Sequence, residues 1–222
     1  MKRLLISAGL LLLINLAATA QVNIKGSTMQ DFTGKPIMNN KVSEVIGSVF
    51  YNDSYKNAKV YLVNGVELAD IKIKLNLRDN KVYYLNNDGT EMEAVSKIKS
   101  IFFTDDGAIF ENGFPAVNKQ DAQTYYRVIV SGKASLLLLT GFVEAEYKAF
   151  NSATTTKQID KVTEVFGVSP NAITKLAKAE DVLQLLSDKY KQVYDYIDKN
   201  KLKCKKQADY VSVINYYNAI SN

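Results

Sequence analysis

The sequence contains no histidine, and this absence excludes more chemistry than any motif in the chain establishes. Ser-His-Asp and Cys-His catalysis, histidine-ligated zinc or iron and imidazole acid–base chemistry are all excluded. A single cysteine, Cys204, also excludes intramolecular disulfides and thiolate-rich metal sites. An enzyme built from this chain would have to use carboxylates, Lys, Tyr or Ser, or a hard metal held by oxygen. We therefore predict no cofactor and no metal site, and we favour a non-catalytic protein.

The chain also lacks a strong excess of one charge. It has 28 basic and 23 acidic residues, a formal net charge of +5. Proteins that bind nucleic acid usually show a larger and more clustered basic excess. We therefore predict no nucleic-acid partner.

The N-terminus carries an apolar run, Leu4–Ile14, which follows Lys2 and Arg3 and precedes Ala18-Thr19-Ala20. The small residues match what a signal peptidase reads. The run is shorter than the roughly 20 residues that span a bilayer as a helix. We predict a signal peptide at 1–20, an uncleaved anchor being the alternative, and no transmembrane segment after cleavage. The protein is then exported, to the periplasm or the medium.

Residues 21–44 are polar and show no sustained period, so we predict a flexible N-terminal segment, with an edge-strand pattern at Val22–Ile24. Residues 45–168 are predicted as an antiparallel β domain. Within it, Asn64-Gly65 separates two apolar segments, which predicts a two-residue type I′ hairpin with Val63 facing Val66 and Tyr61 facing Leu68.

The apolar pattern changes parity inside this domain. Val66 and Leu68 share one parity, whereas the apolar residues from Ile71 to Leu77 take the other. A flat strand with one buried face cannot do this. We therefore predict a β-bulge or bend near Ala69–Asp70, which curls the meander into an open barrel or sandwich.

The last 45 residues change to a helical period. The first apolar stripe comprises Val182, Leu185, Leu186, Tyr190, Val193 and Ile197, and the second Tyr210, Val213, Ile214, Tyr217 and Ile220. We predict a pair of amphipathic helices over 178–222, packed on the β domain. The fold class is then α+β, mainly β: a curved antiparallel meander followed by two helices.

The candidate binding residues lie in and beside this helical pair. They are Lys199, Lys201, Lys203, Lys205, Lys206 and Tyr217. The lysines would be attracted to an anionic surface, such as lipopolysaccharide or phospholipid headgroups, by about 1 kcal/mol each. The alternative is a solvated connector. The Tyr-rich stripe would contact a partner or, as we favour, pack on the sheet.

Cys204 and the paired glutamates each have two interpretations. Neighbouring lysines would make Cys204 a reactive thiolate, but we favour a small, half-buried apolar residue. Glu144 and Glu146 share one strand face and would serve as catalytic carboxylates, and Glu91 and Glu93 are a weaker case. We favour solvated strand faces for both pairs.

Three short motifs carry a resemblance: Gly47-Ser48-x-Phe50-x-Asn52-Asp53, Phe110-x-Asn112-Gly113-Phe114-Pro115 and Tyr216-Tyr217-Asn218. Together they resemble a group of uncharacterised exported proteins found in Bacteroidetes-type bacteria. The resemblance implies a Gram-negative envelope setting and no catalytic residue.

We expect an exported envelope protein that binds a protein or an anionic surface component without catalysis. One alternative is a carboxylate-based glycan hydrolase, which requires a concave pocket holding two carboxyl groups about 5–10 Å apart. The other is a carrier of a small apolar ligand inside the β domain, which requires a large apolar cavity.

Overall fold

The computed structural model describes residues 34–36, 44–147, 150, 155–170 and 172–221, and the structural statements below concern these residues. They form a mainly β structure with helices at its C-terminal end. The predicted fold class, mainly β with a C-terminal helical part, is confirmed. The predicted signal peptide and the edge-strand pattern at Val22–Ile24 lie outside the described residues.

The strands are β1 (Gly34–Pro36), β2 (Glu44–Ile46), β3 (Lys56–Leu62), β4 (Glu67–Asn76), β5 (Lys81–Leu85), β6 (Glu91–Ala94), β7 (Ile98–Phe103), β8 (Ile109–Glu111), β9 (Tyr126–Val130), β10 (Ser135–Tyr147), β11 (Thr156–Ser169) and β12 (Ala172–Lys175). The helices are α1 (Ala179–Leu185), α2 (Tyr190–Lys199) and α3 (Gln207–Ile220), with a short 3₁₀ turn at Ser187–Lys189. The sheet order is β1-β6-β5-β4-β3-β7-β8-β9-β10-β11-β12, and β2 pairs in parallel with β11. The sheet is open and is not closed into a barrel.

The meander β3–β7 must curl because its last strand pairs with its first. In hydrogen-bonding order β6 and β7 are four strand spacings apart, about 19 Å in a flat sheet. Only residues 95–97 connect them, and the chain from Ala94 to Ile98 reaches about 14 Å when fully extended. The sheet therefore bends until β6 and β7 lie near each other without pairing.

A β-bulge in β4 contributes to this bend. Ala58 lies opposite Ile71 and Val60 lies opposite Leu68, so two residues of β4 face one residue of β3. Asp70 takes a φ of 57°, and Leu68 and Ile71 are both buried in the same core despite their different parity. The predicted bulge near Ala69–Asp70 is confirmed.

The β3–β4 turn differs from the prediction. The Leu62 N–H donates to the Val66 carbonyl (2.8 Å) and the Gly65 N–H to the Leu62 carbonyl (3.0 Å), so the loop has three residues. Gly65 takes a φ of 88°, but Asn64 has no positive φ; its side chain accepts a hydrogen bond from the Val66 N–H instead. The two-residue type I′ turn was therefore wrong.

The pairing register of this hairpin differs from the predicted one because the loop is one residue longer. Tyr61 lies opposite Glu67 rather than Leu68, and Val60 lies opposite Leu68. Val60 and Leu68 are consequently the residues that face the core, while Val63 at the turn is exposed.

Three groups of side chains form the interior. The curled meander is filled by residues that include Ile73, Leu75, Ile101, Phe103 and Phe110. The helices cover one face of the sheet with a second group, including Leu136, Val182, Val193, Val213 and Tyr217. A third, smaller group on β9–β11 contains Tyr126, Leu137, Leu139 and Phe166.

The helical part departs from the prediction at its start. The first predicted helix is divided by the 3₁₀ turn at Ser187–Lys189, where Asp188 accepts a hydrogen bond from the Tyr217 hydroxyl (3.1 Å). Ser and Asp compete with helical hydrogen bonding through their own side chains, which explains a break at this point. The sheet also continues beyond residue 168 into β12.

The segment that follows β2 joins the two halves of the sheet. After β2 has paired with β11, the Tyr51 N–H donates to the Leu75 carbonyl (2.8 Å) and the Leu77 N–H to the Val49 carbonyl (2.9 Å). Phe142 of β10 packs against the meander core. The long β10–β11 hairpin is thus tied to the meander.

Candidate functional site

The candidate binding segment is the lysine loop, residues 199–206, between α2 and α3. Its five lysine side chains are all exposed. Between them Leu202 is half-buried and Cys204 is 0% exposed, both packed in the helical core. The alternation of buried and exposed residues predicted from the sequence around Cys204 is therefore present, and it directs the ammonium groups to solvent.

Backbone contacts hold this loop in place. The Lys201 N–H donates to the Asp198 carbonyl and the Leu202 N–H to the Ile197 carbonyl, each at 3.0 Å. The hydroxyl of Tyr210, a buried residue of α3, donates to the Cys204 carbonyl. Lys201 and Cys204 take φ values of 52° and 48°, which turn the chain back towards α3. The lysines are consequently presented by an anchored backbone.

The electrostatics of the loop favour an anionic partner. Within the described part of the chain, the structure shows no ion pair for any of these five lysines, whereas Lys81, Lys157 and Lys175 each have a carboxylate partner. Asp198 and Asp209 lie beside the loop and offset part of its charge. A net positive surface remains.

Cys204 is a packing residue in this structure. Burial, together with the charges of Asp209 and Glu180, raises the pKa of its thiol to about 11. The protonated thiol therefore dominates at neutral pH, and the reactive-thiolate interpretation is wrong because the Cys204 side chain is buried whereas the loop lysines are exposed.

Tyr217 does not share a surface with the lysine loop. Its side chain is 2% exposed, and its hydroxyl donates to Asp188 Oδ2 (3.1 Å). Tyr217 and Lys206 are about 16 Å apart along the axis of α3. Burial and the Asp188 hydrogen bond raise the pKa of Tyr217. Its hydroxyl end borders an open cleft of about 600 Å³ that Lys133 and Thr174 also line.

Three of the four paired glutamates have structural partners in the described residues, and Glu146 is exposed. Glu144 is ion-paired to Arg78 and to Lys157 (2.6 Å), and the hydrogen bond from Lys157, with the Arg78 charge, lowers its pKa. Glu91 accepts a hydrogen bond from the Tyr55 hydroxyl. Glu93 pairs with Lys81 (3.2 Å). A hydrolase needs a carboxylic acid that stays protonated, whereas the contacts of Glu144 favour its ionised form.

An open groove of about 550 Å³ lies where β6 and β7 fail to pair. Its lining mixes apolar side chains, among them Val82 and Val95, with charged ones such as Asp79 and Lys97. The interior of the curled meander is filled by side chains such as Ile73 and Ile101, both 0% exposed. These features give the apolar-carrier alternative no support.

Two kinds of site were searched for in the described residues, a metal-ligand cluster and a membrane-spanning helix. No group of three or more Cys, Asp or Glu side chains among them is placed to hold a metal ion. No helix in this part of the chain is both long and apolar enough to span a membrane.

One contact between α3 and the sheet was not predicted from the sequence. The side-chain amide of Asn218 in α3 accepts a hydrogen bond from the N–H of Ala134 (2.8 Å) and donates one to its carbonyl (2.9 Å), at the end of the β9–β10 turn. Gly132 makes room for it, since a Cβ there would lie 2.4 Å from Asn218 Nδ2. The Asn occurs in one of the quoted motifs, but nothing local to it in the sequence points to its distant partner.

Comparison with protein-family models, curated proteins and solved structures found no match to this chain.

Proposed function

We propose that this is an exported envelope protein that binds an anionic envelope surface through the lysine loop and catalyses no reaction. The observation that carries the proposal is the loop itself: five exposed lysines without ion-pair partners in the described residues, held on a backbone anchored by Cys204 and Leu202. The Gram-negative periplasm or its exterior is the proposed location.

The size of the expected effect follows from membrane electrostatics. Each lysine near an anionic membrane contributes about 1 kcal/mol, so five offset by two aspartates give about 3 kcal/mol. Attraction of this kind is reversible and is weakened by salt, because ions screen exposed charges beyond about 8–10 Å. Binding is therefore expected to be modest, salt-sensitive and independent of lipid chain chemistry.

The test uses the chain from Gln21 onward and vesicles of phosphatidylcholine, with or without phosphatidylglycerol, in a sedimentation assay at low and physiological salt. A second arm replaces the vesicles with lipopolysaccharide and distinguishes the two envelope sources of phosphate. The loop variant changes all five lysines, Lys199, Lys201, Lys203, Lys205 and Lys206, to Gln.

The control variant removes the same charge elsewhere. It changes five other exposed lysines, Lys72, Lys97, Lys99, Lys119 and Lys178, to Gln. We expect the wild type and the control to bind anionic vesicles or lipopolysaccharide and the loop variant to lose most of that binding. Equal binding by loop variant and control would show that net charge alone acts, and would refute the assignment to the loop.

A further inference from the structure

The β10 strand has a long open edge. On one side β11 pairs with it along its whole length, from Ser135 to Tyr147. On the other side β9 pairs only with residues 136–138. Residues 139–147 have no strand partner on that side among the described residues, which leaves nine consecutive residues of sheet edge.

The second half of this edge faces solvent. Residues 143–147 are all exposed, with Val143 at 53% and Tyr147 at 44%, whereas residues 140–142 are half-buried and Leu139 is buried. Arg78 contacts the side chains of Phe142 and Glu144, but the structure shows no backbone hydrogen bond from that part of the described chain to β10. No described backbone group therefore pairs with this edge, and its second half is accessible.

Other open edges of the same sheet are shorter, and they contain a Pro or a Lys. β1 has three residues and contains Pro36. β11 is paired on its outer side at one end by β2 and at the other by β12, and the open residues between them, 159–165, include Lys161. Proteins usually blunt exposed edges with Pro, Lys or bulges. Residues 139–147 contain no Pro and no Lys, and the bulge in β10 lies before them, between Leu136 and Leu137. Its only charged residues are Glu144 and Glu146, so an edge of this length can accept a strand partner.

We propose that the partner is a second copy of this chain and that the two β10 strands pair antiparallel about a two-fold axis at Val143. The free stretch 139–147 is centred on Val143, so this register uses all of it. Leu139 then faces Tyr147 of the second copy, and Gly141 faces its Ala145. Because side chains alternate across a strand, these apolar pairs share one face with the two Val143 side chains.

The opposite face of the paired strands is also compatible with this register. Glu144 faces Phe142 of the second copy and Glu146 faces its Thr140, so no like charges lie directly opposite each other. Moving the axis to Glu144 would oppose two Glu144 side chains, which is unfavourable. Moving it to Phe142 would require Leu138, which already pairs with Arg127 of β9. The register about Val143 avoids both conflicts.

The dimer is expected to be weak. Nine residues per copy are fewer than the roughly 20–30 per partner of a standard stable interface. We therefore expect a monomer–dimer equilibrium in the micromolar range. The inference goes beyond the proposed function and does not depend on it, since it concerns β10 and not the lysine loop.

The first test measures the mass of the chain from Gln21 onward by sedimentation equilibrium over a range of micromolar concentrations. The wild type should change from monomer to dimer. Val143→Lys places two like charges at the axis and should raise the dissociation constant of the dimer by about tenfold or more. Val162→Lys is the matched control: Val162 is 40% exposed on the same face of the hairpin but lies on β11, not on the β10 edge, and its substitution should leave the dimer intact.

A cysteine pair tests the register. Residues opposite each other in antiparallel strands have Cα atoms about 4.5–5.5 Å apart, within the range of a disulfide. Val143→Cys should form a disulfide-linked dimer under mild oxidation, and Val162→Cys should not, with Cys204 buried in both. A wild type that is monomeric at all concentrations, a Val143→Lys variant that still dimerises, or equal cross-linking of the two cysteine variants would overturn the proposal.

Discussion

The contact between Asn218 and Ala134 is the sharpest example of one side chain fixing two elements. A single amide satisfies both the N–H and the carbonyl of Ala134, a buried residue directly before β10. Buried backbone groups without partners are costly. This contact therefore helps to fix the position of α3 on the sheet.

Asn218→Ala is therefore expected to lower the free energy of unfolding by about 2–3 kcal/mol, since it leaves both backbone groups of Ala134 unpaired. Urea unfolding measures the change. Asn215→Ala, an exposed Asn on the same helix, should change stability by no more than about 0.5 kcal/mol. Similar results for the two variants would contradict the role of Asn218.

The buried thiol of Cys204 should react slowly. With its pKa raised to about 11 and its side chain buried, the native protein should react with a thiol reagent at pH 8 about 100-fold more slowly than the urea-unfolded chain. The exposed thiol of the Val162→Cys variant provides the control and should react at a rate close to that of the unfolded chain. Rapid labelling of Cys204 in the folded wild type would be inconsistent with its packing.

Single-residue environments were only partly predictable from sequence. The alternation around Cys204 identified its buried side correctly, because Leu202 and Cys204 share a parity opposite to the lysines. Tyr217 belongs to an apolar stripe at helical spacing, and its burial follows from that stripe. The hydrogen bond from the Tyr217 hydroxyl to Asp188 does not follow from the stripe, because it depends on how α3 packs against the 3₁₀ turn at Ser187–Lys189.

The bulge in β4 shows how the pattern of apolar residues along a strand can predict its backbone geometry. A switch of apolar parity within one continuous strand requires an extra residue if one core is to receive both halves. Asp70, at φ 57°, is that residue.

Asp70→Val should lower the free energy of unfolding by about 1–2 kcal/mol, because a β-branched side chain is unfavourable at positive φ. Asp70→Gly should be close to neutral, since Gly adopts this conformation readily. The control, Lys72→Val, places the same residue at an exposed position of the same strand and should not destabilise it. If Asp70→Val and Lys72→Val had the same effect in urea unfolding, the bulge would not depend on this backbone conformation.

The β3–β4 turn shows the limit of the same reasoning. Asn-Gly predicts positive φ at both positions, but Asn64 uses its side chain to accept a hydrogen bond and leaves only Gly65 at positive φ. Both turns are compatible with the same two residues, and the choice between them is made by the register that buries Val60 and Leu68. Local sequence does not contain that information.

The whole molecule combines many tyrosines with no histidine, and this determines how its stability responds to pH. Burial raises the pKa of eight tyrosines in the described chain: Tyr51, Tyr55, Tyr83, Tyr84, Tyr125, Tyr126, Tyr210 and Tyr217. The folded state therefore holds protons that the unfolded state releases near pH 10, and stability is lost as the pH rises above that value.

Stability should accordingly stay nearly constant between about pH 5.5 and 8, where no histidine titrates, and fall steeply above about pH 10. Melting temperatures across this range measure it. Tyr125→Phe, which removes a buried hydroxyl whose pKa is raised by burial alone, should reduce the alkaline loss. Tyr147→Phe, at an exposed position, should not. A smooth decline from pH 6 onward would contradict this account.

The parallel pairing of β2 with β11 sets the order in which the fold can be completed. Glu44 of β2 pairs with Thr156 of β11, so β2 cannot pair until β11, much later in the chain, has been synthesised. A chain emerging N-terminus first can assemble the β3–β7 meander from local contacts, and β1 can pair with β6, but β2 stays without its partner until β11 appears. Docking of β2 is therefore a late step in folding, and a chain truncated before Thr156 should leave β2 unpaired.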